Sequence, residues 1–251
     1  MSDVVALRPV PRVDASPPRR WSPARLAGTC VLGAWAGLFW FLWLSGRDGF
    51  FLSRRTDWIV PVAAVLLTAA TAGRLASARV RSPGTLSARE LWISGLLVLP
   101  VVLLLAAPPS TLGTFSASKR ADFAGAGFAA SVNDIGDGAI TLVDVAAGQT
   151  SPEGERALAA RAGDTVRFVG FVSRQDDTPA DEFLLTRYVV TCCVADAMIA
   201  QVRTVNVTPG VFADDAWVEV TGSIYPIGTE VIVQASEIRK VERPDRPYLT
   251  P

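Results

Sequence analysis

The stretch LAGTCVLGAWAGLFWFLWL (residues 26–44) contains no charged side chain. A helix of about 20 mostly apolar residues is long enough to cross the hydrocarbon core of a bilayer. Two more stretches satisfy this test, WIVPVAAVLLTAATAG (58–73) and LWISGLLVLPVVLLLAA (91–107). The second is short, but Arg74 can snorkel to the interface and let LASA extend it. The sequence therefore predicts a three-helix transmembrane domain over residues 26–107, embedded in the lipid bilayer.

Two other interpretations of these stretches are weaker. One of the three runs could be a buried helix of a soluble core, but three such runs follow each other closely. The first run could be a cleaved signal peptide. However, its apolar part is long, a leader of 25 residues precedes it, and no small-x-small cleavage site follows it.

The neutral net charge of the chain conceals a division into two halves. Residues 1–107 carry a net charge of +7, and residues 108–251 carry −7. The leader and the loop after the second run together hold nine Arg, whereas the loop after the first run holds three. By the positive-inside rule, the Pro-rich leader (residues 1–25) is predicted to be a disordered cytoplasmic tail. With three spans, everything after Ala107 is then predicted to be extracytoplasmic.

The apolar cores of the three runs contain no Asp, Glu, Lys or Arg. Ionisable side chains inside a span usually mark the path of an ion or proton, so this chain alone is not expected to be a transporter. The spacing of Gly33 and Gly37 permits close helix packing. Ordinary membrane composition explains these two glycines equally well.

Composition excludes several classes of function. The chain has no His, so it holds no Ser-His-Asp triad, no Cys-His dyad and no His-based zinc site. The acidic second half disfavours nucleic acid as a partner. Three Cys in 251 residues do not make a disulfide scaffold.

After Pro109 the pattern changes to the alternation of short strands. We predict a linker over residues 108–121 and a β domain over 122–251, with one helix at 151–163. Short strands at regular spacing favour an OB-like barrel with bends at Gly170 and Gly222, and a β-sandwich is the alternative. The predicted strands are 123–132, 139–145, 164–174, 183–194, 200–207, 216–225 and 230–241.

Residues 191–197, TCCVADA, form the one cluster whose side chains could bind a metal or carry out a reaction. Cys192 and Cys193 could simply be small buried apolar side chains. They could also bind a soft divalent metal such as Zn, with Asp196 as a third ligand, but a tetrahedral site needs a fourth. The third possibility is thiol redox chemistry. In a regular strand adjacent side chains point to opposite faces, so the thiols converge only if the strand breaks here.

Three strings of the second half carry a family resemblance: Arg187-Tyr188-x-x-x-Cys192-Cys193-x-Ala195-Asp196, Trp217-x-x-x-x-Gly222 and Pro244-x-x-Pro247-Tyr248. With the three spans and the APPSTLGTFSASKR segment that follows them, the chain resembles the YcgQ-like permease-subunit family of bacterial membrane proteins over about residues 26–250. The family is known mainly as a domain of unknown function. The resemblance implies the smaller subunit of a two-component membrane complex, with a larger polytopic permease as partner. It also implies a special role for Cys192, Cys193 and Asp196 without defining that role.

These observations support three functional hypotheses. The first is a non-enzymatic accessory subunit whose extracytoplasmic β domain caps, gates or delivers cargo to the larger subunit. The second is a metal-binding or metal-delivery module that uses Cys192 and Cys193. The third is a membrane-anchored thiol redox protein. The lack of His weighs against the second and third and leaves the first unaffected.

Overall fold

The structure is a computed structural model that describes residues 20–81, 85–106, 112–120, 139–228 and 230–250. The chain divides into two compact units. The first comprises Met1–Leu38 and Ala63–Ala106, and the second comprises Phe39–Val62 and Ala107–Pro251. The segment between the first two spans therefore groups with the C-terminal half of the chain. The predicted leader, apart from its last residues, and the predicted strand 123–132 lie outside the described residues.

The three predicted spans are confirmed as helices. They are α1 (Pro23–Leu44), α2 (Ile59–Ala76) and α3 (Ala88–Ala106). Each is long and apolar enough to cross a membrane, and α2 continues past Arg74 as predicted. Most of their apolar side chains are not covered by protein; Trp92, for example, is 80% exposed. These helices therefore associate the protein with a lipid bilayer, which solvates such surfaces.

Contacts between α1 and α2 in the first unit use small residues, but not the predicted pair. A Cβ atom at Gly33 would lie 3.7 Å from Thr71 Cγ2, and one at Gly28 would meet the guanidinium of Arg74. A Cβ atom at Gly37 would meet nothing within 4 Å. Gly28 and Gly33 therefore face α2, whereas no such contact is seen at Gly37 among the described residues.

The ends of these helices are joined by a short β-pair. Strand β1 (Arg20–Trp21) pairs antiparallel with β2 (Arg79–Val80). The Arg79 guanidinium carbon lies 4.7 Å from the centroid of the Trp21 ring, in a cation–π contact. The residues before α1 and those after α2 therefore meet, in agreement with the prediction that they share one side of the membrane.

The second unit contains a closed five-stranded barrel. Its strands are β3 (Thr165–Ser173), β4 (Phe183–Val189), β5 (Met198–Val205), β6 (Trp217–Ile227) and β7 (Glu230–Lys240). They are ordered β3-β4-β5-β7-β6, and only the β5–β7 pairing is parallel. This arrangement confirms the predicted OB-like barrel and excludes the sandwich.

Both predicted bend points lie where backbones approach closely. The β6–β7 ladder shifts its register between Thr221 and Gly222, and a Cβ atom at Gly222 would lie 2.2 Å from the Gln234 carbonyl oxygen. A Cβ atom at Gly170 would lie 2.7 Å from the Thr186 carbonyl oxygen. Only glycine fits at these positions, which explains how the sheet curves enough to close.

The barrel interior is filled by alternating strand residues. Val166, Phe168 and Val172 of β3 share the inner face and belong to the main core cluster. On the outside of the barrel, Phe171 and Tyr188 form a second cluster with Ala117 of helix α4 (Thr114–Arg120). Strands β3 and β4 are therefore covered on both faces, and their side chains are held in fixed positions.

Residues 139–145 were expected to form a strand, and this prediction is wrong. Helix α5 (Leu142–Gly148) begins here, because Thr141 and Asp144 make a capping box. The Thr141 hydroxyl accepts from the Asp144 N–H, while the Asp144 carboxylate accepts from the Thr141 N–H. The apolar residues of α5 join the main core instead of a sheet.

The helix predicted at 151–163 is confirmed as α6 (Pro152–Ala159). Ser151 caps its start by accepting from the Gly154 N–H, and Pro152 occupies the first turn as expected. Gly163 follows the helix with a φ of +90°, which is the left-handed conformation that glycine adopts readily.

Candidate functional site

The cysteine cluster lies directly after β4, which ends at Val189 and not at residue 194 as predicted, so the strand breaks before the cysteines. Regular pairing ends at Val189, and a 3₁₀ turn follows at Val194–Asp196. The break brings the two thiols to the same side, with Cys192 Sγ 3.7 Å from Cys193 Sγ. Both are free, Cys192 being exposed and Cys193 half-buried. They are therefore neighbouring thiols on the surface and not buried core residues.

Asp196 organises this turn. Its Oδ1 accepts from the Thr191 N–H at 3.1 Å, and its Oδ2 accepts from the Cys192 N–H at 2.7 Å. Burial raises the pKa of Asp196, but hydrogen bonds from the Cys192 thiol and from the N–H groups of residues 191–193 outweigh burial and lower it. The carboxylate is therefore ionised at neutral pH, and its hydrogen bonds to the backbone stabilise the turn.

The same carboxylate suppresses the reactivity of Cys192. The hydrogen bond to Asp196, followed in importance by the one to Cys193, raises the pKa of the Cys192 thiol to about 11. A thiol with this pKa is almost fully protonated at neutral pH, whereas redox-active cysteines need a thiolate. The geometry thus gives no support to the predicted thiol redox protein.

The loop between α1 and α2 also contributes to this site, which no local sequence pattern indicates. Leu52 pairs with Cys193 in an antiparallel bridge, and the Val194 N–H donates to the Phe51 carbonyl at 2.8 Å. The Thr56 hydroxyl donates to the Cys192 carbonyl at 2.6 Å. The loop adds a short strand segment to the cysteine turn and holds it in place.

Ser53 is a buried residue at the contact between the α1–α2 loop and the cysteine turn. Its side-chain oxygen donates to the Thr191 carbonyl at 2.8 Å and accepts from the Arg55 N–H at 3.1 Å. Its N–H donates to the Cys192 carbonyl at 3.2 Å, and the residue is only 3% exposed. Buried hydroxyls that satisfy several backbone groups fix local geometry, so Ser53 is a positioning residue of the turn.

Arg187 brings together the three sequence strings of the family resemblance. Its Nε donates to the Pro247 carbonyl and its Nη2 to the Arg246 carbonyl, each at 3.0 Å. Its guanidinium carbon also lies 5.6 Å from the centroid of the Trp217 ring. One residue of each of the other two strings therefore contacts Arg187, which belongs to the first string.

The residues after β7 are attached both to the barrel and to the α1–α2 loop. The Val190 N–H donates to the Leu249 carbonyl, and the Leu249 N–H donates to the Tyr188 carbonyl. Arg246 forms an ion pair with Asp57, with 2.9 Å between Nη2 and Oδ2. Loop, cysteine turn and C-terminal segment thus form one continuous assembly.

Part of this assembly, without the α1–α2 loop, lies in a region that matches a sequence family. Residues 155–251 match the DUF1980 C-terminal domain family. The matched region includes all five barrel strands, the cysteine turn and the segment around Arg246. It supports assigning the barrel to a family of domains of unknown function, and it does not include the three spans. No curated protein matches the chain.

Metal binding at Cys192, Cys193 and Asp196 stays a prediction. Among the described residues, no group of three or more Cys, Asp, Glu or His side chains is arranged to hold a metal ion. The sulfur spacing is nevertheless compatible with one, because two sulfurs about 2.3 Å from a tetrahedral ion lie about 3.8 Å apart. The two thiols could supply one edge of a soft-metal site, with the remaining ligands from elsewhere.

Proposed function

We propose that the protein is a non-enzymatic accessory subunit of a membrane complex, with a polytopic permease as its larger partner. The apolar cores of the three helices contain none of the ionisable side chains that usually mark the path of an ion or proton. The three helices can anchor a barrel and offer apolar faces to the helices of another protein. The barrel would then cap or gate the partner or deliver cargo to it from the extracytoplasmic side.

The observation that carries this proposal is an uncovered face of α3. Leu91, Trp92, Gly95, Leu96 and Leu99 line a shallow hollow of about 300 Å³. These positions repeat at helical spacing and so lie on one face. Gly95 forms the floor of the hollow, and a Cβ atom there would meet nothing within 4 Å. A small residue between large apolar ones is the arrangement that lets a second membrane helix approach closely.

The test is co-isolation of the full chain from its native membrane in a mild detergent, followed by mass spectrometry. A Gly95→Leu variant fills the hollow, its Cβ atom has open space, and leucine favours a helix more than glycine. We expect a polytopic membrane protein to co-purify with the wild type and to be lost with this variant. Gly73→Leu is the matched control, since Gly73 of α2 also has open space around its Cβ position. A wild-type preparation without such a partner contradicts the proposal.

The sulfur–sulfur distance favours metal binding or delivery as a second candidate function. Because the Cys192 thiol is protonated at neutral pH, binding must displace its proton, and affinity should rise with pH. Metal analysis of the full chain after equilibration with Zn²⁺ tests this function. The single variants Cys192→Ser and Cys193→Ser should each remove the bound metal, whereas Cys30→Ser should not. The absence of bound metal in the wild type rejects this candidate.

A further inference from the structure

A second feature of this region lies beside the cysteine turn. The α1–α2 loop, strand β4 and the C-terminal segment enclose a cavity of about 330 Å³. Roughly ten water molecules would fill this space, at about 30 Å³ each. Three arginines and no acidic residue are among its lining residues: Arg54, Arg187 and Arg246. The cavity therefore has a positive lining, although strand β4 and the C-terminal segment belong to the acidic half of the chain.

Arg187 is the central charge of the cavity. Within the described residues, its hydrogen bonds all go to backbone carbonyls: two at 3.0 Å and one, to Val169, at 3.5 Å. Burial lowers the pKa of its guanidinium, yet an arginine stays protonated in proteins. No ion pair is formed between Arg187 and a carboxylate in this part of the chain. A half-buried cation whose partners are all neutral is electrostatically uncompensated.

The other two arginines differ from Arg187 in their environment. Arg246 pairs with Asp57, so its charge is largely offset, but it still contributes N–H donors to the cavity wall. Arg54 is exposed and lies next to Ser53 on the loop. Tyr248 and Thr250 are also among the lining residues, and the Tyr248 hydroxyl accepts from the Leu112 N–H.

We propose that this cavity binds a phosphate-class oxyanion. Arginine guanidinium groups recognise such oxyanions with pairs of parallel N–H donors, and Arg187 has donors beyond those used on the carbonyls. Arg54 closes the site from the loop, and Tyr248 and Thr250 are among its other lining residues. The bound anion compensates the charge of Arg187 and links the loop to the C-terminal segment.

The phosphate group can come from free phosphate or from an anionic lipid headgroup. Arg54 is five residues from Ile59, the first residue of α2, and five residues span at most about 18 Å. The headgroup layer is about 5–8 Å thick on each side of the hydrocarbon core. Arg54 thus lies close in sequence to a span, so a headgroup is a possible source of the phosphate group beside free phosphate, and the experiment must separate them.

The experiment uses the full chain in nanodiscs at constant ionic strength. One arm titrates inorganic phosphate into protein in phosphatidylcholine discs by calorimetry, with chloride as the control anion. The second arm compares thermal unfolding in phosphatidylcholine discs with unfolding in discs containing phosphatidylglycerol. Saturable phosphate binding supports a soluble anion as the ligand. Stabilisation only in phosphatidylglycerol discs supports the headgroup, and no effect in either arm overturns the proposal.

Two variants show whether the arginines carry the effect. Arg54→Gln should weaken binding about tenfold, as expected for one charge-assisted hydrogen bond. Arg55→Gln removes the same charge from the next position, which does not line the cavity, and should leave affinity within about twofold. Equal losses in the two variants would indicate general charge attraction and overturn the site. Among the described residues, no hydrogen bond is seen for the Arg54 side chain. We therefore expect Arg54→Gln to fold as the wild type does.

Discussion

Leu52 and Cys193 pair as an antiparallel β-bridge, although Leu52 precedes the second span and Cys193 follows β4, the second strand of the barrel. This bridge means that the α1–α2 loop and the cysteine turn fold as one structure. A change in either segment should therefore be measurable in the other.

Ser53→Ala is expected to loosen this junction. The substitution removes the hydrogen bonds to the Thr191 carbonyl and from the Arg55 N–H, at a cost of about 1–2 kcal/mol. Hydrogen exchange at the Val194 amide, which is bonded to Phe51, should accelerate roughly 5–30-fold. Ser45→Ala is the control, because the Ser45 hydroxyl bonds only within the end of α1. An unchanged Val194 exchange rate in Ser53→Ala would contradict the positioning role.

Asp196→Asn is expected to activate Cys192 toward alkylation. The Asp196 carboxylate is the main reason that the Cys192 pKa is raised to about 11, so removing its charge should lower that pKa toward 9. At pH 8 the thiolate fraction then rises about 100-fold, while the lower basicity of the sulfur reduces its nucleophilicity. The net rate should increase about tenfold, as measured by site-resolved mass spectrometry. Asp176→Asn, in a distant exposed loop, should have no effect, and the same result for Asp196→Asn would refute the assignment.

Gly222→Ala is expected to destabilise the barrel. A Cβ atom at this position would lie 2.2 Å from the backbone oxygen of Gln234, and a backbone cannot rotate away as a side chain can. The strain should cost about 3 kcal/mol and lower the unfolding temperature by roughly 10 °C. Gly73→Ala, with open space around its Cβ position, should leave that temperature unchanged. A stable Gly222→Ala variant would mean that the bulge is not required for closure.

The predicted topology can be tested with single cysteines. In a background without the three native cysteines, Ser45→Cys should react with a membrane-impermeant maleimide in intact cells. Thr85→Cys, in the loop between α2 and α3, should react only after permeabilisation. The nine arginines of the leader and second loop predict this orientation. The reverse labelling pattern would show that the chain is inserted in the opposite direction.

Local sequence patterns predicted the elements that depend on local physics. Uncharged runs revealed the spans, alternation gave all five barrel strands, and Pro152 with Gly163 marked helix α6. The strand predicted at 139–145 is wrong because its apolar periodicity is overridden by a helix start. The Thr141-x-x-Asp144 capping signature marks that start. That signature is visible in the sequence and could have corrected the prediction.

The site was only partly predictable for a different reason. Cys192, Cys193 and Asp196 are adjacent in sequence, so their proximity follows from the strand break alone. Ser53, Thr56 and Asp57 reach the site through tertiary contacts, and no local pattern in their own segment indicates such a partner. Arg187 was part of a recognised string, but its bonds to the Arg246 and Pro247 carbonyls depend on the fold.

The attachment of the C-terminal segment imposes an order on biosynthesis. Residues 246–249 are translated after the three spans and all five barrel strands, yet they supply the partners of Asp57, Arg187 and Val190. The contacts of the α1–α2 loop with this segment can therefore form only after residues 246–249 have been synthesised, by which time all five strands that close the barrel are already present.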